Sequence, residues 1–339
     1  MRKILAVLML LSTPAMAQES GPVYGARLEG FDYPHPVRIY RFTSQRMPME
    51  MAYMDVRPAK AGASAPAGAT NENGRTVVLL HGKNFCAGTW EGTIRALTDA
   101  GYRVIAPDQV GFCKSTKPQH YQYSFEQLAA NTHALLASLG LTRVTIMGHS
   151  MGGMLATRFA LTYPEVTEQL VSVNPLGLED ARAKGVPPTS LDDSYRGALN
   201  TTAASIRDYQ RRVYYAGNWK QEYDKWVEMQ AGIYRGPGKE IMAWNSALTS
   251  DMIATQPVVH EFERLKMPVL LLIGDKDTTG RSNRAPPGVE TGNFPAMSEA
   301  AAKRIPNARL VRFADLGHSP QIQDPARFHK ALLEGLAAR

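Results

Sequence analysis

Cysteine is almost absent: only Cys86 and Cys113 occur in 339 residues. No Cys/His cluster and no His-x-x-x-His pair carries metal-ligand spacing, so no metal centre and no cofactor are implied. Blocks of like charge are missing too. The 38 Lys and Arg and 31 Asp and Glu are scattered, and the net charge of +7 includes Arg2 and Lys3 at the extreme N-terminus. That pattern describes a solvated surface rather than a nucleic-acid face. After the N-terminus no apolar run is long enough to cross a bilayer, and no internal repeat is visible.

The one long apolar run, Ile4 to Leu11, follows Arg2-Lys3 and precedes the small residues Pro14-Ala15-Met16-Ala17. This is the pattern of a secretory signal peptide, residues 1–17, cleaved after about Ala17. No cysteine follows the cleavage site to take a lipid, so the expected destination is the periplasm or the medium. In an oxidising compartment two cysteines are a disulfide candidate, and two unrelated buried thiols are the alternative.

The rest of the chain alternates. Extended stretches at Val37–Phe42 and Met49–Val56 read as an antiparallel hairpin, and residues 59–74 as a Gly/Pro/Ala/Ser-rich connection. Apolar strand patterns follow at Thr76–Leu80, Tyr102–Ala106, Arg143–Met147, Gln169–Val173, Pro268–Ile273 and Ala308–Phe313, with helical patterns between them. Strands alternating with helices predict an α/β fold with a mostly parallel central sheet covered by helices on both faces. Strand signals vanish from Asn174 to about Arg264, where Tyr and Trp are frequent among helical patterns.

Val144 to Gly153 reads VTIMGHSMGG: an apolar strand, a turn with serine at its apex, then a helix. Glycines two before and two after the serine let the backbones approach closely, and the helix N-terminus favours developing negative charge. A serine hydroxyl is a poor nucleophile unless a base lies within hydrogen-bond reach and an acceptor orients that base. Working residues in sequential α/β proteins gather at the carboxyl ends of strands. Three such ends carry the right types: Ser150, the Asp275/Asp277 pair, and His318.

On these residues the chain resembles the α/β-hydrolase superfamily, in its esterase-like branch with a helical cap inserted after the sixth strand. The resemblance rests on His81-Gly82, Asp108 with Gly111-Phe112, the Gly148 to Gly153 turn, Gly274 to Asp277 and Gly317-His318, in that order along the chain. It implies a hydrolase core at 18–175 and 265–339 and a cap at 176–264. It further implies Ser150 as nucleophile, His318 as general base, and Asp277 rather than Asp275 as the orienting acid. Some relatives carry the acid after the sixth strand, but Asn174 stands there and cannot supply a charge. By the same resemblance the oxyanion hole is made by the backbone N–H groups of Lys83 and Met151. The Lys83 side chain is expected to point to solvent, contact of its ammonium with an anionic substrate being the alternative. His149 is set aside as pointing away from the apex. The fold also brings the loops carrying Cys86 and Cys113 together, so their pairing is expected. The loop near 278–296, with Arg281 and Arg284, is read as solvated, an anion-binding rim beside Asp277 being the alternative.

The implied activity is hydrolysis of a small-molecule carboxylic ester through an acyl-serine intermediate. A lactonase, thioesterase, amidase or perhydrolase would use the same triad. A non-enzymatic binding protein on this fold would be expected to have lost triad members, and all three residue types are present.

Overall fold

A computed structural model describes residues 19–59 and 72–338. The signal-peptide segment and most of the 59–74 connection lie outside the described residues. Eight strands form one sheet in the order β1-β2-β4-β3-β5-β6-β7-β8. They are β1 (Val37–Ser44), β2 (Met47–Val56), β3 (Thr76–Leu80), β4 (Arg103–Pro107), β5 (Val144–His149), β6 (Thr167–Val173), β7 (Val269–Gly274) and β8 (Ala308–Phe313). The β1–β2 hairpin joins β4 antiparallel, and every later pairing is parallel.

Residues of β3 and β5 are buried along their whole length, as expected where helices cover both faces of a sheet. The period of two divides them between two cores. Val77 and Leu79 pack with Trp90, Ile94, Phe328 and Leu332, from α1 (Glu91–Asp99), the short turn before it, and the C-terminal helix Pro325–Ala337. Val78 and Leu80 face the other layer, with Leu128 and Leu135 of α2 (Phe125–Ser138) and Leu155 and Phe159 of α3 (Met151–Thr162). Ser124 caps α2, its hydroxyl accepting from the Gln127 N–H at 3.0 Å.

Between β6 and β7 the chain is helical: α4 (Leu191–Leu199), α5 (Ala203–Tyr209), a π turn at Gln210–Tyr214, α6 (Asp224–Arg235) and α7 (Lys239–Thr255). The aromatic content of this segment divides. Tyr215 stacks on Tyr223 at 3.8 Å between ring centroids, and Trp219 meets both edge-on, so these three pack on one another within the segment. Tyr209, Tyr214 and Tyr234 turn toward the strand ends or a cavity above them, described below.

Cys86 and Cys113 are joined, with Cα atoms 5.8 Å apart. Cys113 sits at φ 45°, the left-handed region that favours glycine. The bond closes a loop of 27 residues, for which chain entropy predicts about 3 kcal/mol of stabilisation. Replacing both cysteines by serine is therefore expected to lower the unfolding free energy by about 3 kcal/mol in a denaturant titration. No loss would mean that the pair is reduced in the folded protein, which alkylation of the unreduced protein and mass analysis would show directly.

Among the described residues no helix is long and apolar enough to cross a membrane.

Candidate active site

Strand register sets the site. Leu80 pairs with Gly148, Gly148 with Ser172, Val173 with Leu272, and Gly274 with Phe313. The loops after β3, β5, β6, β7 and β8 therefore open on one edge of the sheet, carrying Lys83, Ser150, Asn174, Asp277 and His318.

Ser150 has φ 59° and ψ −122°, a strained conformation for a residue with a side chain, and it ends β5 and precedes α3. The turn closes only because both flanking glycines lack a Cβ. One at Gly148 would overlap the Gly152 carbonyl, and one at Gly152 would overlap the carbonyl of Leu80. The Ser150 N–H is fixed on the Val173 carbonyl at 3.1 Å, and its side chain makes no cap hydrogen bond to α3. Met151 opens α3, so its N–H is among those the helix leaves unpaired. Across from it, a Cβ on Gly82 would stand 3.1 Å from the Ser150 Cβ, which puts the Gly82-Lys83 backbone against the serine.

His318 is fully buried, and its Nδ1 lies 2.6 Å from Asp277 Oδ2. The other oxygen of Asp277 accepts from the N–H of Thr279 at 2.8 Å and from its hydroxyl. Asn174 donates to Oδ2 at 2.9 Å and is locked in turn to both backbone groups of Gly274. A carboxylate surrounded by donors keeps the Nδ1–H of His318 pointed at it, which leaves the lone pair on Nε2. That Nε2 is buried and has no hydrogen-bond partner among the described residues. Asp275, two residues away, instead faces Arg312, Nη2 to Oδ2 at 2.8 Å. The acid beside His318 is Asp277.

Two other histidines hold the frame. His149 Nε2 donates to the His318 carbonyl at 2.7 Å, its ring 4.7 Å from the His318 ring, and burial keeps its pKa well below the ordinary histidine value. His81 accepts from the Gln109 N–H at Nε2 and donates from Nδ1 to the Gly82 carbonyl; burial lowers its pKa as well. His149 thus braces the His318 loop. From the helical segment, the carbonyls of Val213 and Tyr214 accept from the N–H groups of His318 and Ser319, at 3.2 Å each. The π turn exposes those carbonyls, a common use of such turns at functional sites. The Tyr214 ring stands 5.0 Å from that of His318.

One expectation is corrected. The Lys83 ammonium does not point to solvent: Nζ donates to Ser246 of α7 at 2.8 Å, and Lys83 lines a cavity of about 360 Å³ under the helical segment. Burial without a facing carboxylate brings its pKa down to about 8. At the loop near 278–296, Arg284 is engaged by Thr189 and the Pro188 carbonyl, so it braces the loop. Arg281 remains exposed.

Residues 75–325 match the family model described as the alpha/beta hydrolase fold. The chain is 62% identical to a "probable hydrolytic enzyme" from Pseudomonas aeruginosa PAO1 whose crystal structure is known; the match covers 93% of this chain and 98% of that one, with a TM-score of 0.87. The AB hydrolase superfamily protein YfhM of Bacillus subtilis (strain 168) is 40% identical over 110 residues, spanning 32% of this chain and only 38% of that protein. Lipase 3 of Moraxella sp. (strain TA144) is 28% identical over 78% of this chain and 79% of its own length. The chain belongs to the alpha/beta hydrolase family, and by family it is a hydrolase.

Proposed function

We propose that the protein is an exported serine hydrolase that cleaves carboxylic esters through an acyl-serine intermediate. The observation that carries this reading is a buried pair on the same sheet edge as the strained serine: His318 Nδ1 held on Asp277 at 2.6 Å, with Nε2 left free. Ser150 Oγ attacks the ester carbonyl carbon while His318 Nε2 takes its proton. The tetrahedral oxyanion is received by the N–H groups of Met151 and Lys83. One such donor typically contributes about a hundredfold or more in rate. The C–O bond then breaks, His318 returns the proton to the leaving alkoxide, and the acyl group remains on Ser150. Water, deprotonated by His318, releases the acid and restores the serine. No metal or cofactor is needed for any of these steps.

Export is supported by the N-terminal pattern and by the Cys86–Cys113 bond. The segment between β6 and β7 is read as a cap over the serine, anchored through Val213 and Tyr214 to the His318 loop. A lipase among the relatives fits an ester substrate.

The test is labelling with a fluorophosphonate, followed by peptide mapping, together with hydrolysis of p-nitrophenyl esters from acetyl to long acyl chains. Label on Ser150 and turnover with a chain-length preference are expected. Label without turnover of any ester would redirect the assignment to lactones, thioesters or amides, and absence of label would favour a binding protein.

A further inference from the structure

The cavity under the helical segment has an unusual wall. Lys83, Asn84, Gln210, Gln230, Tyr234 and Ser246 are among its polar lining residues, and among the described residues no carboxylate lines it. Among the described residues Lys83 is its one charged side chain, and the ammonium hydrogen-bonds to the Ser246 hydroxyl. Gln210 belongs to the π turn and is 1% exposed, yet neither end of its amide has a partner among the described residues. An unpaired buried amide costs about 1–3 kcal/mol, so a ligand that hydrogen-bonds to it is favoured there. The cavity also adjoins the reacting groups. Lys83 follows Gly82, which lies against Ser150, while Tyr209 on the same wall meets the Tyr214 ring at 5.3 Å, and that ring stands 5.0 Å from the His318 ring. Ser150 and His318 themselves do not line it.

We propose that this cavity holds a carboxylate carried by the substrate, with the Lys83 ammonium as its counter-charge and the Gln210 amide as its hydrogen-bond donor. The inference rests on the serine-hydrolase reading above and narrows it: the preferred substrates are esters bearing a second, free carboxylate some bonds from the scissile carbonyl. A single ammonium flanked by neutral amides and hydroxyls matches one negative charge. The lowered Lys83 pKa fits the same picture, because an ammonium desolvated without a counter-ion regains stabilisation when an anion arrives.

The test uses the full-length protein and two readouts. Glutarate is titrated calorimetrically, and kcat/KM is compared for p-nitrophenyl butyrate and the mono-p-nitrophenyl ester of glutaric acid. Wild type should bind glutarate and prefer the anionic ester. Lys83→Met retains its backbone N–H, and it should lower both glutarate affinity and the anionic-to-neutral ratio roughly 10- to 100-fold, the effect of losing a hydrogen bond to a charged group. Gln210→Leu should weaken glutarate binding without lowering the melting temperature, since it removes an amide that pairs with none of the described residues. Neutral-ester turnover with equal glutarate affinity in wild type and both variants, or with no glutarate binding at all, would overturn the carboxylate pocket and leave the esterase standing. Failure of wild type on both esters would count against ester hydrolysis, and the glutarate titration would still decide the pocket.

Discussion

Ser150→Ala is expected to lower kcat on p-nitrophenyl esters by roughly 10⁶-fold, the scale seen when the nucleophile of a triad is removed. Stability should barely move, by about 0.5 kcal/mol at most, because the hydroxyl makes no cap hydrogen bond and leaves no internal donor or acceptor unpaired. The strained backbone at φ 59° is kept by the alanine variant, since the strain comes from the turn and not from the hydroxyl. Rate measurement beside thermal denaturation therefore separates chemistry from folding. A variant within tenfold of the wild-type rate, with unchanged melting temperature, would remove Ser150 from the nucleophile's role. The same variant should lose fluorophosphonate labelling altogether.

What the sequence makes legible here follows from how local each requirement is. The serine turn is readable because its constraint is steric and confined to a few neighbours: Gly148 and Gly152 are demanded by backbone overlap within the turn or across one strand. Strands buried on both faces, such as β3 and β5, announce themselves as continuous apolar runs. Their ends then collect Ser150, Asp277 and His318 by register alone. Helix ends are less legible than strand ends, as at Phe294–Arg304, whose start is capped by Asn293.

The parts that stay hidden depend on contacts between distant segments. Asn174 is passed over in the sequence because it carries no charge, but its amide holds the Asp277 carboxylate and both backbone groups of Gly274. Thr279 has no motif at all and still donates twice to the same carboxylate. The direction of Lys83 is set by Ser246, 163 residues away on a helix whose packing no local pattern predicts. The π turn at Gln210–Tyr214 is hidden for a different reason: its extra residue has no compositional signature, only the consequence that two carbonyls reach the His318 loop. Asp275 and Asp277 are equivalent by type, and only their partners, Arg312 and His318, distinguish them.

That distinction yields the second large effect. Asp277→Asn is expected to lower kcat by about 10⁴-fold, because an amide NH₂ facing His318 would donate to Nδ1 and leave the proton on Nε2, where the serine needs a lone pair. The amide cannot escape by turning over. Thr279 donates to one oxygen of Asp277 and Asn174 to the other, so either orientation sets an NH₂ against a donor. Stability should fall accordingly, by about 1–3 kcal/mol for a buried group left without its partner. Asp275→Asn is the control with matched chemistry. It breaks a partly exposed pair with Arg312, which is worth about 1 kcal/mol or less, and should leave kcat within twofold. If the two variants exchange these results, Asp275 is the orienting acid, and the buried contact of Asp277 with His318 serves only to hold the loop. With the expected results, the 10⁴-fold gap measures the protonation pattern on His318 rather than the loss of a carboxylate somewhere near the site.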